Sequence, residues 1–414
     1  MSHHLQRLAF ISTHTSPLAL PGGTKAGGMN VYIAELTREL GRAGHLVDIF
    51  TRVDQRDLPS VVDLAPNVRV INIPAGPPEH LDPVDIYPWI PDFTRGLDDF
   101  VRRDGNTYDL IHSHYWISGL TGIALAEQWQ RPHIAMFHTL GEVKNRARRT
   151  EREPAVRIDS ERLIVQRSDR LICATPHERD FLAELYGAHP DCVSIVPGGV
   201  DLQRFQPGDR NAARRDLALP DVPIALFVGR LEPLKGVDIA IRAVALTDLD
   251  TPLHLLIVGG DDRALAERDR LQTLARSLGI ANRVSFIDAV PPDRLANYYR
   301  AADVCLVPSY YESFGLVAVE ALASGIPVVA TRVGGLQYTV RDGRTGYLVS
   351  WRCPEPFAER LESLLHNADL ARRFGLAAPD SVSHFDWATV ARQVSGVYEA
   401  LLERTGLTLG CQPG

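Results

Sequence analysis

The sequence predicts an α/β protein made of two tandem, Rossmann-like doubly wound domains. Short apolar runs alternate with helical patterns along the chain, and this alternation is typical of parallel sheets covered by helices. Several runs are apolar almost throughout, as expected for strands that are buried on both faces. The scheme occurs in each half of the chain, and 414 residues suffice for two large domains at ~100–200 residues each.

Strands are predicted wherever a short apolar run is bounded by turn residues. In the first half they are 8–12, 46–51, 68–73, 110–112, 133–137, 171–174 and 193–196. In the second half they are 224–229, 253–258, 284–287, 304–307 and 328–330. The predicted helices between them are one that carries the apolar stripe Tyr32, Ile33, Leu36 and Leu40, and those at 238–246, 263–278 and 292–302.

A segment rich in proline, glycine and charge marks the domain boundary. We expect a first domain at 1–196, a linker at 197–219, a second domain at 220–385, and a C-terminal helix and tail at 386–414 that crosses back. Doubly wound sheets bind ligands beyond the carboxyl ends of their strands. We therefore expect the two domains to face a central cleft.

Composition and charge argue against several classes of protein. Hydrophobic residues make up 45% and charged residues 23%, as in ordinary globular proteins. The net charge of −7 argues against a protein that chiefly binds nucleic acid. The five cysteines are scattered without a CxxC pair, which favours reduced thiols. Since neither a secretory signal nor a long apolar run is visible, we expect a cytoplasmic protein without a transmembrane segment.

A glycine-rich segment, PGGTKAGGMN at 21–30, follows the first strand and opens the first helix. Glycine lets the backbone approach a ligand closely, and a helix N-terminus offers unpaired N–H groups to an anion. The segment is neither a GxGxxG fingerprint nor a Walker A loop. A flexible surface loop is the alternative, but the position after the first strand favours a ligand site.

Two cations, Arg230 and Lys235, directly follow the first strand of the second half, in VGRLEPLKG. A planar guanidinium and a compact ammonium together suit a diphosphate. A solvated basic pair is the alternative. The placement at a strand end favours the ligand.

Two carboxylates, Glu312 and Glu320, flank a predicted helix start in ESFGLVAVE. The amides of residues 314–317 are free to bind hydroxyls or phosphate. Two such carboxylates can accept hydrogen bonds from different sugar hydroxyls. A capping glutamate and a glutamate on a helix face explain the spacing equally well.

Three histidines lie at adjoining strand ends: His112 and His114 on one strand and His138 on the next. A His-x-His pair with a third histidine is one pattern of a zinc site. No carboxylate or cysteine clearly completes it, and hydrogen-bonded core or cleft histidines are commoner. We therefore predict no metal site.

A basic cluster, KNRARRTER at 144–152, follows a strand-end motif of the first half. An anionic ligand could dock there. A solvated face is an equally good interpretation.

Taken together, these residues resemble the GT-B retaining glycosyltransferases of family 4. The resemblance rests on Arg230 with Lys235, on Glu312 with Glu320, and on the two tandem α/β domains, and it covers nearly the whole chain. Family members that use an inositol phosphate are most similar, and bacterial sucrose-phosphate synthases are close relatives. The segments that carry this finer similarity are 14–18, 26–32, 112–116, 138–140 and 143–145.

The resemblance implies that the second domain binds a UDP-sugar, such as UDP-GlcNAc, as the donor substrate. Arg230 and Lys235 would hold the diphosphate with help from the amide of Gly28. Glu320 would bind the ribose hydroxyls, and the backbone near Val290 would contact the uracil. No further cofactor and no metal would be required. The implied donor-binding residues are Gly27, Gly28, Arg230, Lys235, Val290, Glu312, Phe314, Gly315, Leu316 and Glu320.

The donor sugar is expected to bind the segment that starts at Glu312. Its hydroxyls would contact Glu312 and the amides of Phe314, Gly315 and Leu316. His138 would contact the sugar near the reacting carbon. The implied catalytic residues are His138, Arg230, Lys235 and Glu312.

The resemblance also implies an acceptor site in the first domain, at Asn30, Tyr115, Thr139 and Arg157. Two departures concern its charge. The phosphate-binding lysine of the family falls at Pro83, and 79–89 contains no lysine. Thr139 is followed by Leu-Gly-Glu instead of Leu-Ala-Lys. Two cations are therefore missing, so the acceptor is an inositol phosphate, another phosphate or an unphosphorylated compound.

The expected function is transfer of a hexose or N-acetylhexosamine to a small polar acceptor with retention of configuration. Alternatives within the same architecture are sucrose-phosphate-synthase-like transfer to a sugar phosphate, an epimerase or hydrolase of nucleotide sugars, and a non-catalytic nucleotide-sugar-binding protein. A nicotinamide dehydrogenase is disfavoured because GxGxxG is missing. The expected partners are the two substrates and no nucleic acid. A homodimer is one open option.

Overall fold

The computed structural model describes residues 5–19, 27–147, 152–261, 264–350 and 353–404. Contacts divide the chain into two compact units. The first contains the chain up to Ala19, Met29–Pro197 and the segment from Trp387. The second contains Gly27, Gly28 and Gly198–Asp386. Each unit has its own largely parallel sheet between helices, which confirms the predicted α/β class with two Rossmann-like domains.

The first unit is built on an eight-stranded sheet with the order β3-β4-β2-β1-β5-β6-β7-β8. Its strands are β1 (Arg7–Ile11), β2 (Leu46–Arg52), β3 (Val61–Ala65), β4 (Val68–Ile73), β5 (Leu110–His114), β6 (His133–Met136), β7 (Arg170–Cys173) and β8 (Val193–Ile195). Neighbours run parallel except β3, which pairs antiparallel with β4 at the edge.

Helices connect these strands. They are α1 (Gly28–Arg42), α2 (Pro83–Ile86), α3 (Ile90–Asp104), α4 (Trp116–Trp129), α5 (Gly141–Ala147), α6 (Ala155–Arg167) and α7 (Pro176–Tyr186). Helix α7 shows how local sequence sets the ends. The Thr175 side chain accepts a hydrogen bond from the Glu178 amide, and Gly187 ends the helix at φ 72°, a backbone angle that glycine adopts without strain.

The second unit is built on a six-stranded sheet with the order β11-β10-β9-β12-β13-β14. Its strands are β9 (Ile224–Val228), β10 (His254–Val258), β11 (Val284–Ile287), β12 (Val304–Val307), β13 (Val328–Thr331) and β14 (Gly346–Val349). Its helices are α8 (Arg210–Asp216), α9 (Val237–Leu246), α10 (Leu265–Ser277), α11 (Pro292–Ala301), α12 (Leu316–Ala323), α13 (Leu336–Thr339), α14 (Pro354–Leu365) and α15 (Ala368–Val382). The chain then continues into α16 (Trp387–Arg404) of the first unit.

Apolar strands buried on both faces form the core of each unit. In the first, Phe50 and Ile71 pack with Phe93 of α3. In the second, Leu255 and Leu306 pack with helical residues that include Phe357. Burial of each such side chain contributes about 1.5–3 kcal/mol. Along the described ranges, no helix has the length and apolarity needed to cross a bilayer.

Several elements differ from the sequence-based expectation. The edge strands β3 and β14 were not predicted. Strand β3 is only partly buried, so it lacks a fully apolar run, and β14 begins with a glycine. The expected linker at 197–219 belongs to the second unit from Gly198 onward and contains helix α8, which packs on α11. Its high charge reflects a solvated helix face.

Each sheet has one place where the chain reverses its direction of winding. In the first it lies between β1 and β5, and in the second between β9 and β12. The connections that leave neighbouring strands there go to opposite faces of the sheet, which opens a crevice at their carboxyl ends. Within each unit, this is where a ligand site is expected.

A buried carboxylate fixes the register of β2 and β4. Asp48 lies opposite Arg69 and accepts two hydrogen bonds from its guanidinium, both at 2.7 Å. The Tyr108 hydroxyl donates a third at 2.6 Å. Because Asp48 is buried, its removal would leave a cation and a hydroxyl with unpaired donors.

Because Arg69 is partly exposed and also pairs with Asp104, we expect Asp48→Ala to lower the free energy of unfolding by about 1–3 kcal/mol, the usual cost of a buried donor without a partner. Asp63→Ala is the matched control, because Asp63 is exposed on the neighbouring strand β3. Urea denaturation of both variants measures the effect. Equal stability of the two variants would contradict the assigned role of Asp48.

Candidate functional site

The second unit brings the predicted donor residues to one edge of its sheet. Arg230 follows β9, and Lys235 lies in the 3₁₀ turn before α9. Glu312 follows β12, the neighbour of β9. Since parallel neighbours end at the same edge, the winding of the sheet brings these distant segments together.

Lys235 and Glu312 form an ion pair. The Ser309 hydroxyl donates to the same carboxylate at 3.2 Å. Arg230 pairs with Glu232 at 2.8 Å and remains partly exposed. The structure thus holds two cations beside two carboxylates at the strand ends, where they can exchange partners with an anionic ligand.

Glycines fix the backbone around Glu312. Gly335 donates its amide to the Glu312 carbonyl at 2.9 Å. A Cβ added at Gly334 would lie 1.9 Å from the same carbonyl oxygen, and one at Gly335 would lie 2.4 Å from Phe314 Cα. The segment 333–336 therefore packs backbone against backbone, which only glycine permits. This packing holds the Glu312 segment in place.

Helix α12 begins directly behind this segment. Its N-cap, Gly315, has φ 92°, and a Cβ there would lie 2.7 Å from Leu336. The first amides of the helix, including that of Leu316, have no partner within the helix. The predicted amide donors at Phe314, Gly315 and Leu316 therefore lie in one turn beside Glu312.

Glu320 lies on α12, half-buried, and accepts a 2.8 Å hydrogen bond from Tyr299 of α11. Burial raises the pKa of Glu320 to about 7, against the opposing effects of the Tyr299 hydrogen bond and of Arg204. Its carboxyl group is thus poised to ionise near neutral pH.

Val290 and the two glycines complete the predicted donor set. Val290 follows β11 and is half-buried. Gly27 and Gly28 belong to the second unit by their contacts. A Cβ at Gly27 would lie 3.6 Å from Arg230 Nε, and one at Gly28 would lie 3.0 Å from Leu316. The rest of the glycine-rich segment, 21–26, lies outside the described residues.

In the first unit, two strand ends carry unusual backbone angles. Tyr115 follows β5 at φ 76°, and His138 follows β6 at φ 60°. Residues other than glycine rarely adopt this region, and such strain is concentrated at functional sites. The Tyr115 amide donates to the Met136 carbonyl at 2.8 Å, which ties the two strand ends together.

The three histidines singled out in the sequence lie close together, and each forms a hydrogen bond within the protein. His114 Nδ1 lies 2.9 Å from His138 Nε2, and His112 Nδ1 lies 2.7 Å from the Tyr398 hydroxyl of α16. Burial lowers the pKa of all three histidines, that of His138 to about 3. Within the described ranges, no three His, Cys, Asp or Glu residues are grouped to hold a metal ion.

The remaining predicted residues of the first unit belong to two separate sets of contacts, one around Asn30 and one around Arg157. Asn30 donates to Thr15 Oγ1 and to the Ser16 carbonyl, both at 2.7 Å. Arg157 donates from Nη2 to the carbonyl and hydroxyl oxygens of Thr139, at 2.9 and 3.1 Å. Its guanidinium lies 4.9 Å from the centre of the Tyr115 ring.

Arg157 is fully buried and flanked by carboxylates. It donates from Nε to Glu161 and from Nη1 to Glu153, both at 2.8 Å. All three guanidinium nitrogens therefore have partners within the protein. Arg157 thus contacts Thr139 and Tyr115 and holds them in place.

Part of the basic cluster at 144–152 is also neutralised. Lys144 pairs with Glu153 at 2.5 Å, while 148–151 lie outside the described residues. Pro83, at the place of the expected lysine, begins α2. The buried Arg157 and the half-buried Lys144 are thus both paired with carboxylates of this unit.

The sequence missed several partners of the predicted residues. Glu153 and Glu161 lie four residues before and after Arg157, a spacing that predicts helical ion pairs and could have identified them. Tyr299 contacts Glu320 from another helix, and no local pattern signals that contact.

Two Rossmann-like domains with these strand-end residues define a GT-B glycosyltransferase. The chain belongs to glycosyltransferase family 4. Residues 26–204 match the family described as "Glycosyltransferase Family 4", and residues 209–381 match "Glycosyl transferases group 1". The family resemblance seen in the sequence is thereby confirmed.

Two curated relatives are similar to this protein over nearly the whole chain. D-inositol 3-phosphate glycosyltransferase 2 of Catenulispora acidiphila is 46% identical over 96% of both chains. D-inositol 3-phosphate glycosyltransferase of Nocardia farcinica is 46% identical over 96% of this chain and 90% of its own.

Solved structures share the architecture. Sucrose-phosphate synthase from Thermosynechococcus elongatus is 35% identical, with a TM-score of 0.90 over 96% of this chain and 100% of its own. Anabaena HepE, solved in complex with UDP and glucose, has a TM-score of 0.76 at 17% identity, over 95% of this chain and 100% of its own. At 17% identity, the similarity to HepE shows only a shared fold.

The packing of the site can be tested at Gly236, which lies between Lys235 and α9. It has φ 69°, and a Cβ there would lie 2.2 Å from the Pro308 carbonyl oxygen. We expect Gly236→Ala to lower the free energy of unfolding by about 2–4 kcal/mol, from the left-handed backbone and the overlap together. Urea denaturation measures this change.

Gly343→Ala is the matched control, because Gly343 has φ 70° with nothing within 4 Å of an added Cβ. It should lose only the ~1–2 kcal/mol of the backbone angle. Equal losses in the two variants would show that the contact with Pro308 has no effect.

Proposed function

We propose that this protein transfers a hexose or N-acetylhexosamine from a UDP-sugar to a small polar acceptor, with an inositol phosphate as the best candidate. The observation that carries the proposal is that Arg230, Lys235 and Glu312 follow the neighbouring strands β9 and β12, with Glu320 on the helix that comes next. The names of the curated relatives support the inositol phosphate. The scattered cysteines support a cytoplasmic location. The proposal is the same for a monomer and for a homodimer.

The donor site follows from charge and hydrogen-bonding capacity. Arg230 and Lys235 supply positive charge for the diphosphate, and the amide of Gly28 adds a donor. Glu320 accepts from ribose hydroxyls, and the backbone near Val290 contacts the uracil. Gly27 lies beside Arg230 and would border the same diphosphate.

The donor sugar binds at the Glu312 segment. Glu312 accepts from its hydroxyls, and the amides of Phe314, Gly315 and Leu316 donate to its oxygens. His138 contacts the sugar near the reacting carbon. Because burial keeps His138 neutral, it acts through hydrogen bonding.

Transfer breaks the bond between the anomeric carbon and the leaving phosphate oxygen. Negative charge grows on the diphosphate while the sugar becomes oxocarbenium-like. Arg230, Lys235 and the helix amides stabilise that charge, and such preorganised electrostatics is usually the largest catalytic contribution. The acceptor hydroxyl attacks the face that the diphosphate leaves and gives its proton to the leaving oxygen. This scheme retains configuration and requires neither a protein nucleophile nor a metal.

The acceptor site uses Asn30, Tyr115, Thr139 and Arg157. Thr139 and Tyr115 contact the acceptor, while Asn30 and Arg157 hold the surrounding backbone and side chains. A sugar phosphate is the second candidate acceptor, because the sucrose-phosphate synthase structure is similar over nearly the whole chain at 35% identity.

We expect Lys235→Ala and Glu312→Ala each to lower the transfer rate by at least ~100-fold, since each removes a charged contact to the reacting donor. The assay measures UDP release from UDP-GlcNAc or UDP-glucose, with inositol phosphates, fructose 6-phosphate, free inositol or no acceptor. Release stimulated by one acceptor identifies both substrates.

Glu267→Ala is the control, because it breaks a surface ion pair with Arg270 on α10 of the same unit. Its rate should equal that of the unmodified protein. Circular dichroism checks that the variants are folded. A near-normal rate in a folded Lys235→Ala or Glu312→Ala variant would refute the assignment. UDP binding without release under any acceptor would favour a binding protein.

The pKa of Glu320, about 7, predicts pH-dependent nucleotide binding. Ribose hydroxyls donate best to the ionised carboxylate, so binding should lower its pKa. Affinity for uridine should therefore rise between pH 6 and 8 and level off above the free pKa. Calorimetric titration measures this, and uridine avoids the titration of phosphates.

Glu320→Gln keeps the shape of the side chain and removes its charge. In this variant the affinity for uridine should be weaker and should not depend on pH across the same range. A pH-dependent affinity of equal slope in both proteins would show that Glu320 is not the titrating group.

A further inference from the structure

His114 has no expected contact with donor or acceptor, yet it is the side chain that hydrogen-bonds His138. Its Nδ1 lies 2.9 Å from His138 Nε2, and it is fully buried on β5. Strand β6, which leads to His138, is the neighbour of β5. The bond therefore joins the ends of two adjacent strands.

One proton lies between the two ring nitrogens. Burial keeps both imidazoles neutral, since it lowers the pKa of each. A neutral imidazole has one N–H donor and one acceptor nitrogen. The donor is therefore either His114 Nδ1 or His138 Nε2, and the choice fixes what His138 presents at its other nitrogen.

The second nitrogen of His114 indicates which of the two donates. His114 Nε2 is buried and has no hydrogen-bond partner among the residues that the structure describes. If His138 donated, His114 Nε2 would carry an unpaired buried N–H. Among backbone groups, buried N–H groups without partners are rarer than under-satisfied acceptors. The same preference places the His114 proton on Nδ1.

We propose that His114 is a positioning residue that donates from Nδ1 to His138 Nε2 and so holds His138 as the neutral tautomer protonated on Nδ1. The role of His138 rests on the proposed function. His138 then presents an N–H donor to an oxygen of the donor sugar and transfers no proton. The strained φ of 60° at His138 persists where surrounding structure holds a residue in place, and this bond is part of that structure.

The tautomer can be measured without turnover. In protein labelled with 15N-histidine, protonated and bare ring nitrogens have different chemical shifts, and His138→Gln assigns the signals. We expect Nδ1 of His138 to carry the proton. In His114→Phe, which keeps a ring but loses the donor, the His138 signals should move toward a mixture of tautomers. Protonation of His138 on Nε2 in the unmodified protein would overturn the proposal.

Kinetics test the consequence. We expect His114→Phe to lower kcat about 10–100-fold, the scale seen when the partner that orients a metal-bound histidine is removed, with the donor KM within about twofold. His114→Asn should recover most of the rate and the tautomer, because its amide N–H lies near the position of Nδ1. An unchanged kcat in His114→Phe would overturn the positioning role.

Tyr398→Phe is the matched control. It removes the 2.7 Å hydrogen bond to His112, whose ring lies 4.3 Å from that of His114, and leaves the His114–His138 bond intact. Its kcat and His138 signals should match those of the unmodified protein. If the unmodified protein transfers no sugar, the proposed function fails, and the spectrum alone decides the tautomer.

Discussion

The cluster of charged residues in the second unit depends on the pairing of β9 with β12. These strands are neighbours in the sheet although two strand-and-helix units separate them in the chain. That pairing brings Lys235 and Glu312 into contact, and it places α9 and α12 beyond the same edge. The ion pair and the position of the first amides of α12 beside it follow from this order of strands.

Close backbone packing holds the Glu312 segment rigid. Gly334 and Gly335 lie against Glu312 and Phe314 at distances that no side chain would permit. Groups fixed in this way need no rearrangement when charge develops on a leaving group, which makes each contact more effective than in water. A site made of charged side chains on loose loops would lose that advantage.

The sequence predicted the buried parallel strands and the strand-end motifs because apolar runs and turn residues are local signals. Arg230, Lys235, Glu312 and Glu320 could be selected for the same reason. The edge strand β3 escaped prediction because it is only partly buried. The hydrogen bond of Tyr299 to Glu320 joins two helices and has no local signal. Strand-end positions grouped His112, His114 and His138, but only the structure shows that His114 bonds His138.

The two units differ in the burial and ion pairing of their cationic side chains. In the second, Arg230 is partly exposed and Lys235 shares a half-buried carboxylate. In the first, Arg157 is enclosed by Glu153 and Glu161, and Lys144 also pairs with Glu153. An acceptor phosphate would have to compete with Glu153 for both cations. In the proposed acceptor site, hydrogen bonds from acceptor hydroxyls to Thr139 and Tyr115 would require no such exchange.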